Sequence, residues 1–169
     1  GARESQPERP LLDAAGSGRP EPALAFEAAL VQLAAKRPAD AVALTARTAP
    51  TDRTSQLVAL RLAATLQGAG EAKAADALRG RIAMAAGGRE DPMLLLPDQP
   101  VSTPRGGMAQ WLALLGDGFA RMANSSPQLA MLFARSAWWL EDRDWTARAA
   151  LVEALDRSGR GADAAALLM

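Results

Sequence analysis

Apolar residues recur along this chain at intervals of three and four, the spacing of one face of a helix. Residues 23–35 put Leu24, Ala28, Val31 and Ala35 on one stripe, and Pro38 opens a second helix predicted to reach Ala49. Pro50 ends it, and Thr51-Asp52 offers a cap for a third helix at 53–68, with Leu57, Val58, Leu60, Leu62 and Leu66. After the punctuation of Gly68 to Gly70, residues 71–86 repeat the pattern through Ala75, Leu78, Ile82 and Met84. The stretch 87–107 is broken by Gly and Pro and predicts no helix. Helical spacing returns at 108–123 with Trp111, Leu112, Leu115, Phe119 and Met122. Ser125-Ser126-Pro127 then starts a helix to Leu140, the acidic run Glu141 to Asp144 intervenes, and 145–157 and 161–168 follow. Short turns between helices of about a dozen residues mean antiparallel hairpins.

Two stretches share one frame: Leu62-x3-Leu66-x3-Gly70-x4-Ala75 and Leu151-x3-Leu155-x3-Gly159-x4-Ala164. Two leucines a turn apart mark a buried stripe on a first helix. The glycine releases the chain into a tight turn, because it accepts the left-handed conformation at little steric cost. The alanine lies early on the second helix, where a small side chain lets two helices approach closely. Ala41 stands 34 residues before Ala75, and Ala130 stands 34 before Ala164. The 55-residue interval from Ala75 to Ala130 exceeds that period by 21, the length of the broken stretch 87–107. On these residues the sequence resembles the tetratricopeptide repeat family, whose unit is a 34-residue helix–turn–helix. The resemblance covers residues 22–169 as four degenerate units with an insertion between the second and third. It departs from the family pattern at Lys36 and Ser125, which stand where glycine is expected, and at Arg121, which replaces a stripe leucine. Leu66 and Leu155 replace a large aromatic.

Composition agrees with an all-α fold. The chain has 40 Ala and 24 Leu against 5 Val, 1 Ile and 7 Thr, so little is available to build a sheet. Nineteen basic and nineteen acidic side chains cancel, leaving no global field to attract nucleic acid or anionic lipid. There is no His, Cys or Tyr, which removes disulfides, Cys or His zinc sites, thiol chemistry and histidine-based triads. No catalytic, cofactor-binding or metal-binding residue is therefore assigned, and the chain is read as not an enzyme. Gly116-x-Gly118 is no dinucleotide fingerprint, since no strand precedes it; Gly118 reads instead as a close-packing position between helices. Carboxylates at Glu141, Asp142 and Asp144 suit a hard cation, yet Arg143 sits among them and a solvated turn before a helix start explains them better. Arg79, Arg81 and Arg89 read as an exposed basic face.

In the family that the frame resembles, the first helices of successive units line a binding groove. Carried across, the resemblance implies a partner-binding groove at Leu57, Leu60, Leu112, Leu115, Phe119 and Met122, apolar in its middle. The adjacent Trp138 and Trp139 point about 100° apart on a helix, so one is expected in a helix joint and the other at the surface as a candidate interface anchor. The expected occupant is an apolar or amphipathic segment of another protein, or a second copy of this chain making a homodimer. The resemblance implies a non-enzymatic scaffold module of a larger bacterial assembly, of the kinds used in secretion, pilus assembly or exopolysaccharide export. Residues 1–22 read as a flexible leader, which joins soluble domains or follows a removed membrane anchor, and 23–169 as one helical domain. Cytoplasm and periplasm are both compatible with the absence of cysteine. Met93-Leu94-Leu95-Leu96, between Pro92 and Pro97, is expected to pack back across the groove as a plug.

Overall fold

The computed structural model describes Leu11, Asp13, Ala14 and residues 21–86 and 97–169. Among them it has eight helices of substantial definition and no strand: α1 (Pro22–Ala34), α2 (Pro38–Ala46), α3 (Arg53–Gly68), α4 (Ala72–Ala85), α5 (Pro104–Arg121), α6 (Pro127–Leu140), α7 (Trp145–Arg157) and α8 (Gly161–Ala166). The fold is all-α and repeat-like, and the chain divides into two compact units, Gly1–Pro100 and Val101–Met169. The expected plug at Met93 to Leu96, most of the expected leader and Arg89 lie outside the described residues.

The first unit holds two hairpins. α1 packs on α2, α3 packs on α4, and the first helices α1 and α3 pack on each other, with a smaller contact between α2 and α4. Phe26, Leu30, Val58, Leu62, Leu66, Leu78 and Ile82 are buried there. In the second unit α5, α6 and α7 pack mutually, and α8 closes on α7. That core is thin. Ala113, Ala137 and Ala147 form one cluster, and Ala120, Ala130 and Ala154 another, with Leu151 and Leu155 beside Ala134 and Ala150.

The predicted frame recurs in the backbone. Ala41, Ala75, Ala130 and Ala164 each stand fourth in a second helix and each is buried. Lys36, Gly70 and Gly159 all adopt positive φ, at 60°, 89° and 72°. Their corners share one pair of hydrogen bonds: the N–H of Lys36 donates to the Leu33 carbonyl and that of Arg37 to Gln32. Gly70 and Glu71 donate likewise to Gln67 and Leu66, and Gly159 and Arg160 to Asp156 and Leu155. This is the Schellman closure, which satisfies carbonyls left over at a helix end. Lys36 makes the turn despite its Cβ. Ser125 does not: α5 ends two residues earlier relative to its alanine, with extended backbone at Met122, and the Ser125 hydroxyl donates to the carbonyls of Phe119 and Met122.

Three sequence expectations are corrected. α2 stops at Ala46 rather than Ala49, because the backbone before Pro50 is driven out of the helical region. α5 begins at Pro104, inside the stretch predicted to be irregular to Gly107, because the Thr103 hydroxyl accepts the Gly106 N–H (3.0 Å) and Pro104 suits the first turn. The close-packing glycine is Gly116, where an added Cβ would sit 3.1 Å from the backbone nitrogen of Ala134, whereas Gly118 is exposed and faces open space. The stripe leucines of the other repeats give way here to Asp117, buried, which pairs with Arg121 at 3.1 Å.

Two pairs of substitutions test these assignments by urea unfolding. Lys36→Gly should stabilise the chain by about 1 kcal/mol and Gly159→Ala should destabilise it by about the same amount, since only the left-handed corner distinguishes them. Gly116→Ala should destabilise by about 1–3 kcal/mol through backbone displacement, whereas Gly118→Ala should be neutral or stabilising by up to about 1 kcal/mol.

Candidate functional site

The six residues expected to line one groove have separate fates. Leu57 is buried at 3% exposure and Leu60 half-buried, both in the first unit, so Leu57 is core and not a docking position. In the second unit Leu112 packs against Ala113, Ala137 and Ala147, and Phe119 against Ala120, Ala130 and Ala154. Phe119 also stacks on Phe133, ring centroids 5.5 Å apart. Leu115 is half-buried, and Met122 is exposed beyond the end of α5. The stripe is thus partly spent on the interior of the unit. The reason is geometric: α5 turns Ala109, Ala113, Gly116 and Ala120 inward, and the larger side chains flank that seam.

The two tryptophans separate as expected. Trp138 joins two clusters between α6 and α7, touching the Ala113/Ala137/Ala147 set and the Leu151/Leu155 set. Trp139 is 79% exposed. Its ring is nevertheless held, because the Arg105 guanidinium lies 5.9 Å from its centroid while donating to the carbonyls of Leu140 (2.7 Å) and Trp139 (3.2 Å).

Another uncovered apolar surface is one that the sequence expectations did not include. An open groove of about 700 Å³ runs along α6, lined by Leu112, Met131, Leu132, Trp139 and Leu140, with Gln128, Arg135 and Ser136 as its polar members. Leu129 and Leu132, 42% and 58% exposed, share the outward side. α6 turns Ala130, Ala134 and Ala137 inward, so it is apolar on both faces. In its 14 residues the only charge is Arg135, whereas α4, the same length and likewise the second helix of a hairpin, carries Lys73, Asp76, Arg79 and Arg81. A helix that is apolar all round is ordinarily buried all round. That one signal, the missing charges of 127–140, was available in the sequence.

The chain matches no family model, no curated protein and no solved structure.

The polar clusters have structural partners. Asp144 is buried and accepts the Ala147 N–H at 2.9 Å, capping α7, and no group of metal-ligating side chains occurs among the described residues. The Arg79 guanidinium donates to Gln67, Asp76 and Asp98. Arg81 is drawn in rather than displayed: it donates to the Ala46 carbonyl at the end of α2 (3.0 Å), and burial pulls its guanidinium below the usual arginine range. Among the described residues no helix is long and apolar enough to cross a membrane.

The contrast between neighbouring indoles is measurable. Trp138→Ala should cost about 3 kcal/mol in unfolding free energy by opening a cavity between α6 and α7. Trp139→Ala should change stability by less than about 0.5 kcal/mol while lowering the iodide-quenchable fluorescence, the exposed Trp111 keeping the remainder.

Proposed function

We propose that this chain is a non-enzymatic protein-binding module built from tetratricopeptide-like hairpins, and that its docking surface is the outward face of α6 rather than the first-helix stripe. The observation that carries this reading is the composition of α6 against its exposure: Leu129, Leu132 and Trp139 stand in water on a helix with a single charge. An uncovered apolar surface rimmed by polar residues is characteristic of an interaction site. The Arg105 clamp adds to it, because an indole already fixed loses less freedom when a partner packs on it. The family reading is supported by the three equivalent corners and the four equivalent alanines at the expected spacing. An interaction role also suits a sequence with neither His nor Cys, which lacks the members of the common nucleophile–base pairs. The module belongs, on this reading, to a larger bacterial assembly, and the partner supplies an apolar or amphipathic segment.

Photo-crosslinking in the native cell tests it. A photoreactive residue at Ser136, inside the groove, should yield a discrete adduct with another protein, and one at Asp142, in the exposed turn, should not. Equal, diffuse labelling at both sites defeats the reading, and an adduct of twice the chain's mass replaces it with self-association.

A further inference from the structure

Within that docking reading, on which this inference rests, the charge pattern of the groove identifies the occupant. The other arginines of the second unit are engaged. Arg105, Arg148 and Arg157 donate to main-chain carbonyls, Arg121 and Arg160 pair with Asp117 and Asp163, and Arg143 also has a partner. Arg135 is exposed and makes no hydrogen bond, ion pair or ring contact among the described residues, and it lies midway along the apolar stripe between Leu132 and Trp139.

Those two anchors are seven residues apart, about 10 Å along the helix axis. A second α-helix laid in the groove would present its own apolar side chains at the same stride, i and i+7, with position i+3 or i+4 opposite Arg135. We infer that the groove receives an amphipathic helix of another protein that carries Asp or Glu midway between two large apolar residues seven apart.

A second copy of this chain fits poorly. In a two-fold pairing of α6 with itself the same patch meets its mirror role, so residues near the centre of the stripe face their own equivalents. The centre here is Arg135, and α6 has no carboxylate to answer it. Two guanidiniums would meet in an apolar seam, an arrangement that disfavours the homodimer and leaves an acidic partner helix favoured.

The test is selection from a phage-displayed library of 15-residue helical peptides, with leucine fixed at two positions seven apart and the intervening residues randomised. Against the wild-type chain, Asp or Glu should be enriched at the position midway between the leucines. Against Arg135→Glu the enrichment should change to Lys or Arg at the same position. For one selected peptide, exchanging its central Glu for Lys should weaken binding about tenfold to wild type and strengthen it to Arg135→Glu. Leu132→Ser with Trp139→Ser, both exposed and so compatible with the native circular dichroism and unfolding midpoint, should abolish enrichment altogether. If peptides are enriched and lost with the double variant, yet the central position shows no charge preference or none that follows Arg135→Glu, the acidic-partner inference is overturned and the docking reading stands. If no peptide is enriched over the double variant, the docking reading falls with it. A concentration-dependent dimer in sedimentation that Trp139→Ser dissolves also overturns the inference.

Discussion

Close approach of helix backbones through alanine is the constraint on which both units depend. Ala41, Ala75, Ala130 and Ala164 hold one position in four second helices, and in the second unit the facing positions are also alanine or glycine. At Gly116 an added Cβ would lie 3.1 Å from the Ala134 backbone nitrogen, so the facing helix would have to give by a few tenths of an ångström. Small side chains bury little apolar area each, so stability has to come from many backbone-level contacts rather than from a few large residues. Such a seam tolerates enlargement badly. It also fixes where everything else goes: the larger side chains of α5 and α6 are displaced to the flanks, where Leu112, Phe119, Met131 and Phe133 cover the seam from its sides.

Bringing helices this close also places the exposed carbonyls of one helix end within reach of side chains on the next, and arginine is used to answer them. Arg81 on α4 donates to the end of α2, Arg105 on α5 to the end of α6, and Arg148 on α7 to Leu167 after α8. Arg157 on α7 gathers the carbonyls of Phe119, Ala120, Ala123 and Ser125. A planar guanidinium with five donors can bridge several carbonyls at the negative end of a helix, which a lysine ammonium does less well. The chain has 17 arginines and 2 lysines, and these pairings give part of that bias a physical role. The zero net charge conceals it, because a sum over the sequence does not separate cations that cap helices from cations that face solvent.

The helical frame was legible because a period of 3.6 residues and a period of 34 leave marks in the order of residues. Glycine at positions 70 and 159 announced corners for the same reason: few residues adopt that backbone. Lys36 was legible only by register, since its side chain gives no sign of a left-handed turn. Two readings failed for related causes. Gly106 and Gly107 looked like breakers, but Thr103 and Pro104 together start a helix strongly enough to absorb them. Gly116 rather than Gly118 meets the facing helix because α5 ends two residues early relative to its alanine, which shifts its inward face by the same two positions. Which apolar stripe stays uncovered was not legible from periodicity at all. Periodicity shows which residues of a helix are apolar, and it cannot show which apolar face a neighbour covers. Leu57 is covered and Leu132 is not, yet each is a leucine at helical spacing.

If α6 docks a partner as proposed, a helix apolar on two faces carries a hazard as well as that use, since whatever can bind a partner can also bind itself. Arg135 bears on both. Its guanidinium interrupts the outward stripe of α6 at the midpoint, where a symmetric pair would cross, so self-association meets like charge in a setting of low dielectric. Its placement there leaves the flanking apolar anchors, Leu132 and Trp139, intact. Had the same charge stood at either end of α6, a two-fold pairing could have kept the two cations well apart, and the stripe would have been as suited to its own copy as to any other helix. On the proposed docking reading, the position of one charge, rather than its presence, is what makes the surface selective rather than adhesive.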